Sequence, residues 1–137
     1  MVGSERGFGG GGGLASQRID WLLLKNYVNL FENYALAICL GSAFEDDQVR
    51  ADFNKAASGY MERGHLPIEA YEELRGAVQV WLQKDYPSKR GGQVNSAKCF
   101  DFYRSRDLAE LFEKHDPCRS KRGWLDMDEY TENCSDK

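Results

Sequence analysis

The polar side chains best suited to bind another molecule lie between two predicted helices, from Ser88 to Asn95. Lys89 and Arg90 in this segment are cationic, and the hydroxyl and amide groups beside them can donate and accept hydrogen bonds. Gly91 and Gly92 allow positive φ angles and a close approach of the backbone to a partner. The segment therefore predicts a partner-binding loop formed by Ser88, Lys89, Arg90, Gly91, Gly92, Gln93 and Asn95. The alternative is a solvated turn that only connects two helices.

A second set of charged residues precedes this loop. Four glutamates surround a predicted turn and the first face of the helix that follows it: Glu62, Glu69, Glu72 and Glu73. An acidic face can complement a basic protein and accelerate association with it. These residues predict a secondary partner surface, and a solvated helix face is the alternative.

The four cysteines suggest disulfide chemistry. An even number in a small helical domain is typical of a disulfide framework, for which several pairings are open. Cys39 and Cys99 lie on apolar helical stripes, whereas Cys118 and Cys134 flank the tail. Pairing within each set is therefore the most economical arrangement. Four reduced thiols in a cytosolic protein are the alternative.

The remaining residues indicate neither a metal site nor a catalytic site. His115, Cys118 and Cys134 lack the second close pair that structural zinc sites use, and the acidic tail lacks the glycine and terminal glutamate of a calcium loop. The chain has two histidines, and no glycine-rich phosphate loop follows a strand. Because Cys39 and Cys99 occupy predicted core positions, a nucleophilic thiol is not expected either. We predict a binding protein with no enzyme activity, metal or cofactor.

Apolar residues recur at the three- and four-residue steps of buried helix faces along most of the chain. The first predicted helix runs from Ser16 to Gly41, with a break near Asn26 or Asn33 as an alternative. The second opens at Asp46–Asp47, includes Val49 among its core positions, and ends at Gly64.

Two further helices are predicted downstream. The third begins at Pro67 and stops at Tyr86–Pro87, and the fourth begins near Asn95 or Ser96, with a break at Ser105–Asp107 as an alternative. Their buried stripes consist of Ile68, Tyr71, Leu74, Val78, Trp81, Leu82, Cys99, Phe100, Tyr103, Leu108, Leu111 and Phe112. No stretch shows sustained strand alternation. The prediction is an all-α fold, a compact bundle of four to five helices with a protruding interhelical loop.

The two ends of the chain depart from the helical pattern. Residues 1–15 contain five consecutive glycines, which predict a flexible lead. We interpret this lead as an expression remnant that has replaced a signal peptide, and a natural disordered tail is the alternative. Residues 16–116 are predicted to form the helical domain. Residues 117–137 are predicted to form a charged, irregular tail that a Cys118–Cys134 bridge would close.

Composition limits the classes of partner. The net charge of -4 and the pI near 5.2 argue against general nucleic-acid binding, which requires a basic face. No apolar run approaches the roughly 20 residues that span a bilayer. We therefore predict neither a nucleic-acid nor a membrane partner.

Three segments together resemble a known family: NYALAICLGSAF (Asn33–Phe44), AASGYMERGHLPIEAYEEL (Ala56–Leu74) and VNSAKCFDFY (Val94–Tyr103). They resemble the immunity proteins that neutralise type VI secretion amidase effectors, and more narrowly the helical family paired with papain-like peptidoglycan amidases of the fourth group. The resemblance rests on the order and spacing of the segments and on two matching cysteines. It covers Tyr27 to His115, so the lead, the tail and the second cysteine pair lie outside it.

The resemblance implies a periplasmic, all-helical protein, usually a homodimer, that would form a heterotetramer with two amidase effectors. It implies a disulfide between Cys39 and Cys99. It also places the loop Ser88–Asn95 where the family's inhibitory loop enters or covers the catalytic cleft of the amidase. The expected function is inhibition of a cognate amidase by occlusion of that cleft. A periplasmic helical adaptor or dimerisation module that inhibits no enzyme is the alternative.

Overall fold

Helices dominate the part of the chain that the structure describes. The computed structural model covers residues 16–119 and 121–134, and these ranges contain six α-helices and no β-sheet. The helices are α1 (Tyr27–Ala43), α2 (Asp47–Glu62), α3 (Ile68–Leu82), α4 (Asn95–Tyr103), α5 (Arg106–His115) and α6 (Met127–Cys134). The predicted all-α class is confirmed. The first five helices form the bundle, and the tail contributes the sixth.

The hydrophobic core surrounds α1, which packs against α2, α3, α4 and α5. Aromatic rings connect these layers: Tyr34 meets Tyr71 edge to face with ring centroids 4.9 Å apart, and Phe31 lies 5.9 Å from both Tyr71 and Phe112. All four rings are almost fully buried. Such pairs add stabilisation beyond the burial of their area, so α1, α3 and α5 are held together mainly by this cluster.

Short polar side chains fix where three of the helices begin. Asn26, Asp46 and Ser105 each accept a hydrogen bond from the backbone N–H three residues ahead, at 2.9, 3.0 and 3.1 Å. These bonds satisfy amide groups that a helix leaves unpaired at its first turn. The cap at Ser105 separates α4 from α5, which agrees with the alternative of a break at Ser105–Asp107.

The predicted helix start at Ser16 is wrong. Residues 16–26 are not helical, and Leu23 donates a backbone hydrogen bond to Asp20 in a turn. Ile19 and Leu23, which fit the helical spacing, are mostly exposed. The cap at Asn26 explains the difference, because its β-region backbone ends any preceding helix.

Three further residues predicted to be buried are exposed. Val49, Ile68 and Phe100 are 37%, 60% and 56% exposed. Val49 and Ile68 lie in the first turns of α2 and α3, and Phe100 follows the buried pair Lys98 and Cys99 in α4. None of the three packs against the core. Helical spacing identifies a stripe, but the neighbouring helices decide how much of that stripe they cover.

α3 ends at Leu82, earlier than the predicted stop at Tyr86–Pro87. The amine of Lys98 donates a 2.8 Å hydrogen bond to the carbonyl of Leu82, and Lys98 is only 2% exposed. A cation at a helix carboxyl end satisfies a carbonyl that the helix leaves unpaired and interacts favourably with the helix dipole. The residues after Gln83 are therefore available to form the loop.

The tail is more regular than predicted. A 3₁₀ turn at Pro117–Arg119 precedes α6, and the ring of Trp124 stacks on His65 with a centroid separation of 3.8 Å. The indole N–H of Trp124 donates to the carbonyl of Pro117 at 2.9 Å, and the side chain is buried. Trp124 thus attaches the tail to the turn between α2 and α3, which is the end of α3 opposite the predicted partner-binding loop.

The predicted flexible lead at residues 1–15 lies outside the described residues. No helix in the described part of the chain is long and apolar enough to cross a membrane.

Candidate functional site

The loop between α3 and α4 is a short hairpin. Tyr86 accepts a backbone hydrogen bond from Val94 at 2.9 Å, and Pro87 faces Gln93 in an antiparallel bridge. Ser88 donates its N–H to the carbonyl of Gly92 at 2.9 Å. These contacts give the predicted partner-binding loop a defined shape before any partner arrives.

A tight turn closes the tip of this hairpin. The N–H of Gly91 donates to the carbonyl of Ser88 at 3.0 Å, and the N–H of Arg90 donates to the Ser88 hydroxyl at 3.1 Å. Gly91 and Gly92 have φ angles of 99° and 73°, which only glycine adopts without strain. Lys89 and Arg90 are therefore the two central residues of the turn, and we call this pair the apex.

The side chain of Gln93 clamps the two strands of the hairpin. Its Oε1 accepts from the N–H of Tyr86 at 2.7 Å, and its Nε2 donates to the carboxylate of Asp85 at 2.7 Å. The sequence predicts Gln93 as a partner-binding residue. In the structure, both ends of its amide are used within the loop, so Gln93 positions its neighbours.

The base of the hairpin is joined to α4. The hydroxyl of Tyr86 donates to the carboxylate of Asp101 at 2.6 Å, and this hydrogen bond raises the pKa of the tyrosine. The buried Lys98 contacts the end of α3 from the same helix. Helix α4 thus holds the base of the hairpin through Asp101 and the end of α3 through Lys98.

The predicted loop residues lie together but differ in exposure. Ser88 and Asn95 are half-buried at the two ends of the hairpin, and Lys89, Arg90, Gly91, Gly92 and Gln93 are exposed. Within the described residues, the side chains of Lys89 and Arg90 make no hydrogen bond or ion pair. Both charged side chains of the loop therefore remain available to a partner.

The four glutamates of the predicted acidic surface differ in location and in bonding. Glu69 and Glu72 are exposed on α3, whereas Glu62 lies on α2 beside a cavity that Tyr27 and Arg63 also line. Glu73 bonds with His115 and with Lys114, each at 3.1 Å, and these two partners lower the pKa of its carboxyl group. Glu73 therefore connects α3 to α5.

All four cysteines are in disulfides. Cys39 is bonded to Cys99 with a Cα separation of 5.6 Å, and Cys118 to Cys134 with a Cα separation of 5.4 Å. The first bridge connects α1 to α4 inside the core. In the described residues, no group of three His, Cys, Asp or Glu side chains is arranged to hold a metal ion.

Sequence reasoning missed the residues that hold the loop in place. The clamp at Gln93, the bond from Tyr86 to Asp101 and the buried amine of Lys98 all depend on contacts between elements. One local signal was present: Lys98 occupies an apolar helical stripe beside Cys99, where an unpaired ammonium group would be costly. A hydrogen-bond partner for that amine could have been expected.

Comparison with known proteins agrees with the all-α fold and identifies a family. The family model for Tai4, described as a type VI secretion system (T6SS) amidase immunity protein, matches residues 29–112. This range includes the hairpin and nearly all of the five-helix bundle. A comparison with curated proteins gave no match.

Solved structures are also similar to this chain. One is the effector–immunity system Tae4/Tai4 from Salmonella typhimurium, with 28% identity, a TM-score of 0.67, and coverage of 72% of this chain and 97% of that chain. Another is the complex of Salmonella typhimurium Tae4 with Tai4 from Enterobacter cloacae, at 20% identity, a TM-score of 0.62, and 69% and 98% coverage. A third, from Serratia marcescens, concerns type VI-secreted toxins and self-resistance proteins, at 18% identity, a TM-score of 0.66, and 76% and 87% coverage.

The last two structures are too distant in sequence to show more than a shared fold. The assignment of the chain to a family rests on the family model. The family predicted from the three sequence segments is confirmed. It is a family of inhibitors, so the prediction that the chain is not an enzyme is confirmed as well. The chain belongs to the Tai4 family of type VI secretion system amidase immunity proteins.

Proposed function

We propose that the chain inhibits a cognate amidase effector by placing the hairpin Ser88–Asn95 in the catalytic cleft of that enzyme. The observation that carries this proposal is the internal bonding of the hairpin. A loop that is already ordered loses little conformational entropy when it binds. The clamp at Gln93 and the bonds from Ser88 supply this order. Occlusion of the cleft then excludes the peptidoglycan substrate.

The glutamates of α3 support a second contact. Glu69 and Glu72 are exposed on one helix face, and acidic groups there would speed association with a basic effector. Glu62 is exposed at the end of α2, so we include it in the proposed surface. Glu73 is its least available member, because Lys114 and His115 already bond to it. Association that does not slow with added salt would count against this role.

We also propose that the chain acts in the periplasm as a homodimer, which binds two effectors in a heterotetramer. Two disulfides favour an oxidising compartment over the cytosol. The mass of the purified complex, measured by sedimentation, should correspond to two copies of each protein. A complex with one copy of each would contradict the dimer.

Removal of the apex and clamp tests the proposed function. Deletion of Lys89 to Gln93 should weaken inhibition of the cognate amidase effector by about tenfold or more, because the central contact of the proposed interface is lost. Cleavage of peptidoglycan by that amidase, titrated with the immunity protein, gives the measurement. Circular dichroism and thermal melting establish that the bundle remains folded.

A variant with Asp52 and Lys55 changed to Asn and Gln provides the control, because both residues are exposed on α2. It should inhibit as strongly as the unchanged protein. If the deletion variant is folded and also inhibits fully, the hairpin is not the inhibitory element. If it still binds the amidase but no longer inhibits, the hairpin blocks the cleft and other surfaces supply affinity.

A further inference from the structure

Most polar side chains around the hairpin are already bonded within the protein. Gln93 bonds to Asp85 and to the backbone of Tyr86, and the Tyr86 hydroxyl bonds to Asp101. Asp85 and Asp101 are the two carboxylates that lie near the loop in sequence, and each is engaged by these neighbours. Neither carboxylate therefore pairs with the apex.

The other basic residues beside the hairpin are engaged as well. The amine of Lys84 lies 4.4 Å from the centroid of the Trp81 ring, a cation–π contact. The amine of Lys98 is buried against the carbonyl of Leu82. The apex residues Lys89 and Arg90 differ from both, because they are exposed and the described residues give their side chains no polar partner.

The backbone geometry directs the apex outward. Lys89 and Arg90 are the central residues of a turn closed by the bond from Gly91 to Ser88, and glycines with positive φ follow them. The apex therefore carries two adjacent positive charges on a protein whose net charge is -4. A cleft that receives this apex must supply a negatively charged partner for each cation, since burial of an unpaired cation is strongly unfavourable.

From this geometry we propose that Lys89 and Arg90 recognise carboxylate groups inside the cleft of the partner. The inference rests on the proposed function and adds the chemistry of the partner site. Arg90 can form a two-point hydrogen-bonded pair with one carboxylate, and Lys89 acts as a compact charge beside it. Gln93 contributes by positioning the apex and does not contact the acidic groups.

The test compares charge variants of the whole chain by their affinity for the cognate amidase effector. K89Q/R90Q should raise the dissociation constant by about 10- to 100-fold in low salt, and K89E/R90E should raise it further. K55Q/R104Q removes the same number of charges from exposed positions on α2 and at the end of α4, so it controls for net charge. The loss of affinity caused by K89Q/R90Q should become smaller as the salt concentration increases, because salt screens charge pairs.

The Gln93→Ala variant separates the effect of hairpin geometry on binding from the effect of the apex charges. It should weaken binding at every salt concentration to a similar extent, and hydrogen exchange of the Tyr86 amide should become faster because that amide loses its acceptor. Unchanged protection of the Tyr86 amide in Gln93→Ala would contradict the clamp.

The outcomes distinguish this inference from the proposed function. If K89Q/R90Q binds as tightly as K55Q/R104Q while the loop deletion abolishes inhibition, the acidic cleft is wrong and the inhibitory hairpin stands. If the folded deletion variant inhibits fully, both proposals fail. A salt-dependent loss that is specific to the apex variants supports the acidic cleft.

Discussion

Replacement of both Cys39 and Cys99 by alanine is expected to lower the free energy of unfolding by about 4 kcal/mol. The bridge joins residues 60 apart in sequence, and without it the unfolded chain gains the entropy of an open loop of that length. Both cysteines are fully buried, so the lost sulfur contacts add to the cost. A small domain is stabilised by only about 5–15 kcal/mol in total. Denaturant unfolding of the double variant should therefore show a much lower midpoint.

The second bridge provides the matched control. The Cys118–Cys134 bridge closes a segment of 16 residues in the tail, whose contacts with the bundle centre on Trp124. Its removal should mainly expose the tail to proteases. It should lower the unfolding midpoint of the bundle less than removal of the Cys39–Cys99 bridge does. Equal unfolding midpoints for the unchanged protein and the Cys39/Cys99 double variant would contradict a stabilising role for the core bridge.

Gly64→Ala is expected to destabilise the fold by about 3 kcal/mol through a clash inside the core. A Cβ atom at this position would lie 2.2 Å from the hydroxyl oxygen of Tyr71. Tyr71 has little room to move, because its ring packs on Phe31 and Tyr34 and is only 4% exposed. Burial also raises the pKa of its hydroxyl to about 12, and a backbone hydrogen bond from Leu66 acts in the opposite direction.

A second substitution tests the cause of this loss. Tyr71→Phe removes the oxygen atom that the new methyl group would strike, and alone it should cost about 1 kcal/mol for the lost hydrogen bond. The double variant G64A/Y71F should be more stable than G64A, because contacting residues are not additive. Thermal or denaturant unfolding of the four proteins measures this coupling. If the stability losses of the two single variants simply add, the Tyr71 hydroxyl is not the group that clashes with the added methyl group.

Much of the bundle could be predicted from local sequence. The buried residues of α1, α3 and α5 follow the helical spacing, and the acidic start of α2 and the turn at Gly64 appear where the sequence placed them. These features depend on a helix and its own capping residues, so a single sequence contains them. The family could be recognised for the same reason, since its three segments are helices or helix ends.

The errors have a common physical origin. Helical spacing before Asn26 suggested a longer first helix, but the cap at that residue and the exposure of Ile19 and Leu23 show that no neighbouring surface covers those residues. The tail appeared irregular because its attachment to the bundle includes a stacked pair, Trp124 on His65, that is distant in sequence. Periodicity describes one element and does not report which surfaces meet.

The position of the candidate site could be predicted from the sequence, but the roles of its residues could be predicted only in part. Gly91 and Gly92 marked a turn, and Lys89 and Arg90 marked its charge. The role of Gln93 could not be predicted, because its side chain is engaged by Asp85 and the backbone of Tyr86 only after the hairpin has formed. An amide in a loop looks the same in sequence whether it binds a partner or its own backbone.

The order of the cysteines along the chain has a consequence for maturation. The two bridges join the first cysteine to the second and the third to the fourth, so neither bridge encloses a member of the other pair. Thiols that become accessible from the amino end onward therefore meet their native partner before a competing thiol arrives. Oxidation in order of appearance yields the native connectivity, and no incorrectly joined pair has to be broken and formed again.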